Sequence, residues 1–146
     1  MDVIRDMIND IRSAENALDW IMLRAVRSRE SEVISLNVDD QLFQGIGANG
    51  ERIRPPYAPA TVRIKRRKGQ PYDRVTLRDT GDYHESFFLI YRDDEFEFDA
   101  KDPKKKWLER RYKKKSIYGL TDQNVGRVIG LIGDDVVVEF RKSVFK

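Results

Sequence analysis

The 146-residue sequence contains no cysteine and only one histidine, His84. These absences exclude a disulfide framework, a thiolate nucleophile, cysteine-ligated zinc and, within one chain, a metal cage built from histidines. No apolar run approaches the roughly 18 residues needed to cross a membrane, and the N-terminus lacks the basic-then-apolar order of a signal peptide. We therefore expect an intracellular protein, or a part assembled inside a cell, with no membrane partner and no cofactor.

Charge is abundant but unevenly distributed along the chain. The 28 basic and 25 acidic side chains give a net charge of +3. Residues 61–115 hold 17 basic and 11 acidic side chains, whereas residues 1–60 hold 7 basic and 10 acidic ones. Positive charge is thus concentrated in the middle of the chain, where its field can attract nucleic acid or an acidic protein surface.

Apolar periodicity predicts a single α+β domain over residues 1–146, with a long helix at each end. Apolar residues recur at spacings of three and four from Ile4 to Ala25 and from Val125 to Val144. We expect the first helix to continue to Leu36 after a kink near Ser28, and Thr121 to be the N-cap of the last helix. Between them, FFLIY and EFEFD are typical of the two strands of a β-hairpin. We expect the N-terminal and C-terminal helices to pack on one face of this small antiparallel β-sheet, because their apolar stripes need a partner. The predicted segments are an N-terminal helical region 1–36, a connecting arm with short helices 37–86, a β-hairpin 87–100, a basic segment 101–120 and a C-terminal helix 121–145.

The glycines from Gly45 to Gly50 match the G-x-G-x-x-G pattern of dinucleotide sites. Such a site requires a helix directly after the glycines, whose N-terminus receives the pyrophosphate. Arg54-Pro55-Pro56 follows instead, and two prolines prevent a helix of useful length. We therefore predict a tight turn at Asn49-Gly50 rather than a nucleotide site.

Asp79-Thr80-Gly81 matches the D-T-G of aspartic proteases, whose carboxylates work as a pair in an apolar environment. Here charged residues lie on both sides of the motif, and the chain contains no second copy. We predict instead that Asp79 or Thr80 caps a short helix from Asp82 to Ser86. His84 on that helix is expected to be a partly exposed structural residue, because residues two apart on a helix do not face each other.

Acidic residues cluster around the second predicted strand, and acidic side chains can bind a divalent metal. No glycine-bearing calcium loop accompanies them, and alternating acids are more common on the solvent face of a strand. With no nucleophile–base pair and no metal-ligand cluster, the sequence predicts a protein that is not an enzyme. The acidic residues considered are Asp93, Asp94, Glu95, Glu97, Asp99 and Asp102.

Two basic clusters are candidates for a binding surface. Pro59 can begin a short helix that Gly69 ends, and the cations on this helix either contact phosphate or form a solvated face. Residues 101–115, called the basic run below, combine nine basic side chains with Trp107 and Tyr112. Basic residues interleaved with aromatics are typical of nucleic-acid grooves, although the aromatics can equally anchor solvated lysines to the core. The candidate DNA or subunit interface is Lys104, Lys105, Lys106, Arg110, Arg111, Lys113, Lys114 and Lys115.

Residues 41–121 contain a series of short motifs in a fixed order. The series begins with Gln41-Leu42, Gly45, Gly50 and Ile53, and it continues with a set that we call the motif residues: Tyr57, Pro59, Thr61, Lys65, Gly69, Leu77, Thr80, Gly81 and Ser86. This order and spacing resemble the virion morphogenesis or tail-completion proteins of tailed bacteriophages and prophages. The segment Ile117-Tyr118-Gly119-Leu120-Thr121 resembles the form found in phages and prophages of Bacteroides-like hosts. A lysine-rich run replaces the small-residue segment that follows the strands in many family members.

The resemblance implies a structural protein of the head–tail junction that acts as a homo-oligomeric ring around the channel through which DNA passes. Its partners are then other phage neck, portal-adaptor or tail proteins, and its location is the virion, assembled in the bacterial host cytoplasm. The basic segments then either line the channel, as non-specific contacts with DNA, or meet the acidic strand face of a neighbouring subunit. The alternative is a sequence-independent nucleic-acid-binding protein of a mobile element.

Overall fold

The chain begins with two consecutive helices, according to a computed structural model that describes residues 2–145. Helix α1 spans Val3–Ser28, and its N-cap Asp2 accepts a hydrogen bond from the Arg5 amide at 3.1 Å. Helix α2 spans Glu30–Val38 after a break at Arg29. The predicted break near Ser28 is therefore confirmed.

The connecting arm contains three short helical pieces separated by turns. They are a 3₁₀ turn at Leu42–Gln44, helix α3 at Pro59–Arg67 and helix α4 at Asp82–Glu85. Pro59 occupies the first turn of α3, where its missing N–H costs no hydrogen bond, and Gly69 follows the helix with a φ of +71°. Both ends of this helix agree with the prediction.

The glycine-rich segment forms the predicted tight turn. Gly47 donates to the Glu51 carbonyl at 2.8 Å, and an antiparallel bridge between Ile46 and Arg52 closes the loop. Gly45 has a φ of +77°, and a Cβ atom there would lie 2.8 Å from the Arg74 Cβ. Glycine is therefore required for a close approach between two segments of the chain.

The predicted β-hairpin is confirmed with nearly the same boundaries. Strand β1 spans Phe87–Tyr91 and pairs antiparallel with strand β2, Phe96–Ala100. Leu89 lies opposite Phe98 in the register, and both are buried. Alternate side chains of the two strands thus face the core.

Three further helices follow the hairpin within the described residues. Helix α5 spans Lys105–Tyr112, α6 spans Lys114–Ile117 and α7 spans Asp122–Val144. The Thr121 hydroxyl accepts from the Asn124 amide at 3.2 Å, as predicted for the N-cap of the last helix.

The fold is α+β, and the two terminal helices pack against each other as well as against the hairpin. One core cluster contains the end of α1 (Ala25, Val26), the two hairpin residues Leu89 and Phe98, and Val128 and Ile132 of α7. A second cluster lies beneath the connecting arm and α5. We expected the sheet to cover α1, but most of its contacts are with α7. Five-residue strands are about 17 Å long, and they cannot cover a helix of about 39 Å.

A buried group of amides fixes the segment 117–124 to α2 and the residues that follow it. Asn37 donates to the Ile117 carbonyl at 2.9 Å and accepts from the Gly119 amide at 3.2 Å. Gln41 donates to the Gly119 carbonyl at 2.9 Å, and its Oε1 accepts from Thr121 N at 3.0 Å and Asn124 Nδ2 at 2.8 Å. The nitrogen and the oxygen of each of these buried side-chain amides, including Asn124 Oδ1, therefore have a hydrogen-bond partner, as burial demands. We call Asn37, Gln41 and Asn124 the amide clamp.

Two helix ends are left with exposed apolar side chains. The first turns of α1, which we call the α1 tip (residues 2–11), expose every large apolar side chain they carry. The last turns of α7 also expose Val137, Val138 and Phe145. We expected the apolar stripe of α7 to be buried. Val128 and Ile132 are buried, but Val125, Ile129 and Val137 are exposed, because only one side of this helix has a neighbour.

Candidate functional site

A cleft of about 640 Å³ lies where α3, α5 and the segment before α4 meet. This volume is within the range of pockets that bind small molecules. The cleft brings five motif residues together with two cations of the basic run, although the two stretches are separate in the sequence. Its lining residues are Tyr57, Ala58, Thr61, Ile64, Lys65, Lys68, Gln70, Leu77, Arg78, Asp79, Gly81, Tyr83, Lys104, Trp107, Leu108, Arg111 and Tyr112.

The cleft has an apolar floor and a partly apolar opening. Leu77, Leu108 and Tyr112 are buried in the core beneath it. Ile64 on α3 and Trp107 on α5 are 49% and 59% exposed, although both are large apolar side chains. A concave surface with apolar side chains at its opening is typical of binding sites.

The motif residues Tyr57 and Lys65 hold the wall of the cleft in place. The Tyr57 hydroxyl accepts from the Thr76 amide at 2.9 Å, and the Lys65 Nζ lies 5.0 Å from the centre of the Tyr57 ring. Lys65 also donates to the Arg78 carbonyl at 2.8 Å. Lys65 is buried, so it fits neither of the two alternatives predicted for the cations of this helix, a phosphate contact or a solvated face.

These contacts stabilise an unusual backbone conformation at Leu77. Its φ is +55°, which is rare for a bulky residue and strained unless the surroundings fix it. The Thr76 hydroxyl accepts from the Arg78 amide at 3.3 Å, and Lys65 binds the Arg78 carbonyl, so both sides of the bend are held. The sequence carries no signal for this bend, because no glycine occupies the position.

Asp79 lies at the edge of the cleft in an ion pair. The Lys68 Nζ donates to its carboxylate at 3.0 Å and Gln70 Nε2 donates at 3.1 Å, and these two hydrogen bonds hold the pKa of Asp79 below its usual value. Helix α4 forms where we predicted it, but neither Asp79 nor Thr80 is its N-cap residue. Gly81 takes that position with a φ of +97°, and Thr80 Oγ1 accepts from the Asp82 amide at 3.3 Å.

His84 is a buried structural residue rather than a partly exposed one. It is 7% exposed, and its Nε2 lies 2.9 Å from the Thr76 carbonyl, so this nitrogen carries the proton. Burial lowers the pKa of His84 to about 4, and the Thr76 hydrogen bond only partly opposes this effect. The prediction of partial exposure was wrong because α4 turns this side chain toward the segment 75–77.

Lowering the pH from about 7.5 to about 5 is expected to destabilise the protein by about 2 kcal/mol through His84 alone. The unfolded chain takes up a proton below pH 6.5, whereas the folded chain resists protonation until pH 4, so stability is lost as the pH falls through this window. Urea unfolding at both pH values measures the loss. His84→Gln keeps a donor for Thr76 without titrating, and we expect its stability to change much less. An equal loss in both proteins would contradict the assignment.

The basic run does not form one continuous surface. Lys104, Trp107 and Arg111 face the cleft, whereas Lys106 and Arg110 are exposed on the outer side of α5. Successive helical residues are separated by 100°, which explains the division. Lys113, Lys114 and Lys115 are exposed around the junction of α5 and α6.

Lys105 is separate from the other cations of the basic run. Its Nζ donates to the Asp99 carboxylate at 2.8 Å, and this bond raises the pKa of the lysine. Burial alone would raise the pKa of Asp99, but the hydrogen bonds from Lys105 and from the Ala100 amide hold it below its usual value. Part of the acidic strand face that we considered as a partner for a neighbouring subunit is therefore used within the chain.

Ser86 connects the start of the hairpin to the segment after it. Its hydroxyl donates to the Tyr83 carbonyl at 2.7 Å and accepts from the amides of Lys101 and Asp102 at 3.2 and 3.1 Å. This motif residue therefore has a structural role.

Sequence reasoning missed a series of hydrogen-bonded hydroxyl groups that begins at the cleft. The Tyr118 hydroxyl donates to Glu109 Oε1 at 2.9 Å and lies 2.8 Å from the Tyr83 hydroxyl, which must therefore donate to it. Burial raises the pKa of both tyrosines. These hydrogen bonds join α4, α5 and the segment before α7, and they keep α5 in position beside the cleft.

Within residues 2–145, no group of three or more acidic or histidine side chains is arranged to hold a metal ion. None of the described helices is long and apolar enough to span a bilayer. Comparison with known protein families, characterised proteins and solved structures finds no significant match to this chain. Support for a function therefore comes from the chain's own residues.

Proposed function

We propose that this chain is a structural subunit of a phage or prophage virion, a neck or tail-completion protein that acts as a homo-oligomeric ring at the head–tail junction. The observation that supports this proposal best is the cleft. Five motif residues spread from Tyr57 to Gly81 meet at one surface that also has exposed apolar side chains. An assembly protein requires a surface of this kind, because it must bind its neighbours.

Unpartnered apolar side chains also support assembly. The α1 tip and the end of α7 expose several large aliphatic residues, and Trp107 adds an exposed ring at the cleft. Large exposed apolar patches mark interaction sites in soluble proteins. In the proposed virion, neighbouring copies and other neck, portal-adaptor or tail proteins cover these surfaces.

The candidate reactive side chains have structural roles, which supports a function without catalysis. Asp79 is paired with Lys68, and His84 is buried against the Thr76 carbonyl. Neither faces a nucleophile within hydrogen-bonding distance in the part of the chain described. We therefore assign this protein no catalytic residue.

The test of this proposal is the mass of the purified protein over a concentration series, measured by analytical ultracentrifugation and followed by electron microscopy. We expect a closed oligomer of identical subunits with a central opening. Antibody labelling of virions should then place the protein at the head–tail junction. A protein that stays monomeric throughout, or that labels another part of the particle, would contradict the proposal.

The alternative is a sequence-independent nucleic-acid-binding protein, and the exposed face of the basic run favours it. Lys113, Lys114 and Lys115 are all exposed, and among residues 2–145 only Lys114 has an ion-pair partner, Glu109 at 3.8 Å. Exposed lysines bind phosphates without reading the base sequence. The same contacts would serve a ring subunit that faces DNA in the channel.

Replacing Lys113, Lys114 and Lys115 with Ser separates these two functions. If the lysines bind duplex DNA, the variant should bind more weakly and the dependence of log K on log salt should be less steep, by up to about 0.9 for each lost phosphate contact. Fluorescence anisotropy over a salt series measures this slope. If the variant instead loses oligomer formation at an unchanged slope, the lysines form a subunit interface. An Arg52→Ser variant, changed at an exposed cation outside both the basic run and the first helix, is the control.

A further inference from the structure

We propose that the α1 tip of one subunit binds in the cleft of the next subunit. This inference rests on the proposed ring and identifies the contact that holds neighbouring subunits together. The occupant of the cleft is thus a second copy of this chain.

The α1 tip has the pattern of a helix that binds in a groove. Ile4, Met7, Ile8 and Ile11 are at positions i, i+3, i+4 and i+7, the spacing by which an amphipathic helix places anchors in a hydrophobic groove. These four side chains are between 43% and 70% exposed, and exposed aliphatic side chains at this spacing are unfavourable without a partner. The tip therefore lies outside the cleft of its own subunit.

The cleft offers complementary surfaces for such a helix. Ile64 of α3 and Trp107 of α5 provide exposed apolar contacts, and the buried Leu108 provides an apolar floor. The volume of about 640 Å³ is large enough for several anchor side chains. Tryptophan is one of the residue types enriched at the energetic centre of protein interfaces.

Charge favours the same pairing. The α1 tip contains three acidic residues and one basic residue, a net charge of −2. The cleft lining contains five basic residues and one acidic residue, a net charge of +4. Opposite charges around an apolar contact direct association and disfavour the pairing of two tips or two clefts.

This contact joins two different surfaces of the subunit and is therefore heterologous. Repetition of such a contact produces a closed ring when the rotation between subunits closes, and an open filament when it does not. Every subunit in a ring gives one tip and receives another, so loss of either surface should stop assembly.

Two variants and their mixture test the proposal in the full-length chain. The tip variant is Ile4→Ser with Ile8→Ser, and the cleft variant is Ile64→Ser with Trp107→Ser. All four side chains are exposed, so both variants should remain folded, which circular dichroism checks. Matched controls are Trp20→Ser on α1 and Tyr72→Ser just after α3, which are exposed at 57% and 41% but lie outside the tip and the cleft lining.

We expect each double variant to weaken self-association by at least about a hundredfold, with the controls unchanged. A mixture of the two variants retains one intact tip and one intact cleft, so it should form a heterodimer that grows no further. Sedimentation of a labelled variant against the unlabelled one detects this species, and higher salt should weaken it.

The other outcomes separate this inference from the proposed function. If the wild-type protein forms rings and the tip variant also does so, the inference fails and the ring stands. If the cleft variant loses only DNA binding, the cleft is a nucleic-acid site and the inference fails. A third outcome is that the tip variant alone is monomeric and the mixture forms no heterodimer. Two tips then pair with each other, and the cleft has another occupant, so the inference fails. If the wild-type protein is monomeric at every concentration, both proposals fail.

Discussion

Ile132→Asp should lower the free energy of unfolding by about 4 kcal/mol. Ile132 is 4% exposed in the cluster that joins α1, α2, the hairpin and α7. The substitution removes most of a buried aliphatic side chain and leaves a carboxylate without a partner in an apolar environment. Because a domain of this size is stable by only about 5–15 kcal/mol, the variant should melt more than about 10 °C below the wild type.

Ile129→Asp provides the matched control on the same helix. Ile129 lies one turn away and is 59% exposed, so the same chemical change should alter the free energy of unfolding by less than about 0.5 kcal/mol. Thermal melts followed by circular dichroism compare the two. Equal melting temperatures for the two variants would show that α7 does not bury this side against the hairpin.

Gln41→Leu should lower the free energy of unfolding by about 3 kcal/mol, although leucine has a similar size and is more apolar. The change leaves the Gly119 carbonyl and the Thr121 amide without their partners and removes the shorter of two hydrogen bonds from Asn124 Nδ2. A buried polar group without a partner costs about 1–3 kcal/mol. Urea unfolding measures the loss, and hydrogen exchange should show lower protection of the Thr121 amide.

Two further variants identify the origin of this loss. Gln123→Leu makes the same chemical change at an exposed position in the first turn of α7, and we expect little effect. The double variant Gln41→Leu/Asn124→Leu removes the orphaned amide as well, and it should be more stable than the sum of the two single losses implies. If the losses simply add, the amide clamp does not act as a unit.

Local patterns in the sequence predicted most of the elements. The N-cap at Thr121, the proline at the start of α3 and the alternation in the hairpin each depend on residues within one or two turns. Such signals are visible without knowledge of the fold. The α+β class and the position of the final helix follow from them.

The packing of these elements against one another was less predictable. The apolar stripe of α7 continues through Ile129 and Val137 in the sequence, but only one side of the helix has a neighbour. The number of faces that a helix buries depends on the size of the sheet and on the other helices, which periodicity does not report. For the same reason the sequence did not show that the α1 tip would be left exposed.

The cleft was not predicted, although most of its residues had been singled out. Lys65 belongs to a basic cluster in the sequence, yet its amine is directed at the Arg78 carbonyl. That contact depends on the positive φ at Leu77, for which the sequence has no marker. Trp107 was considered as an anchor for the core, but it lies in the wall of the open cleft, where it stays largely exposed.

The amide clamp also affects when the chain can fold. Gln41 binds groups that lie 78 to 83 residues later in the sequence. During synthesis these groups emerge only after the connecting arm, the hairpin and α5 have been made, and α7 follows them. The apolar faces of α1 and α2 therefore lack this partner until α7 has emerged, and contacts between such distant segments form slowly. Throughout that interval the nascent chain exposes these faces to chaperones and proteases.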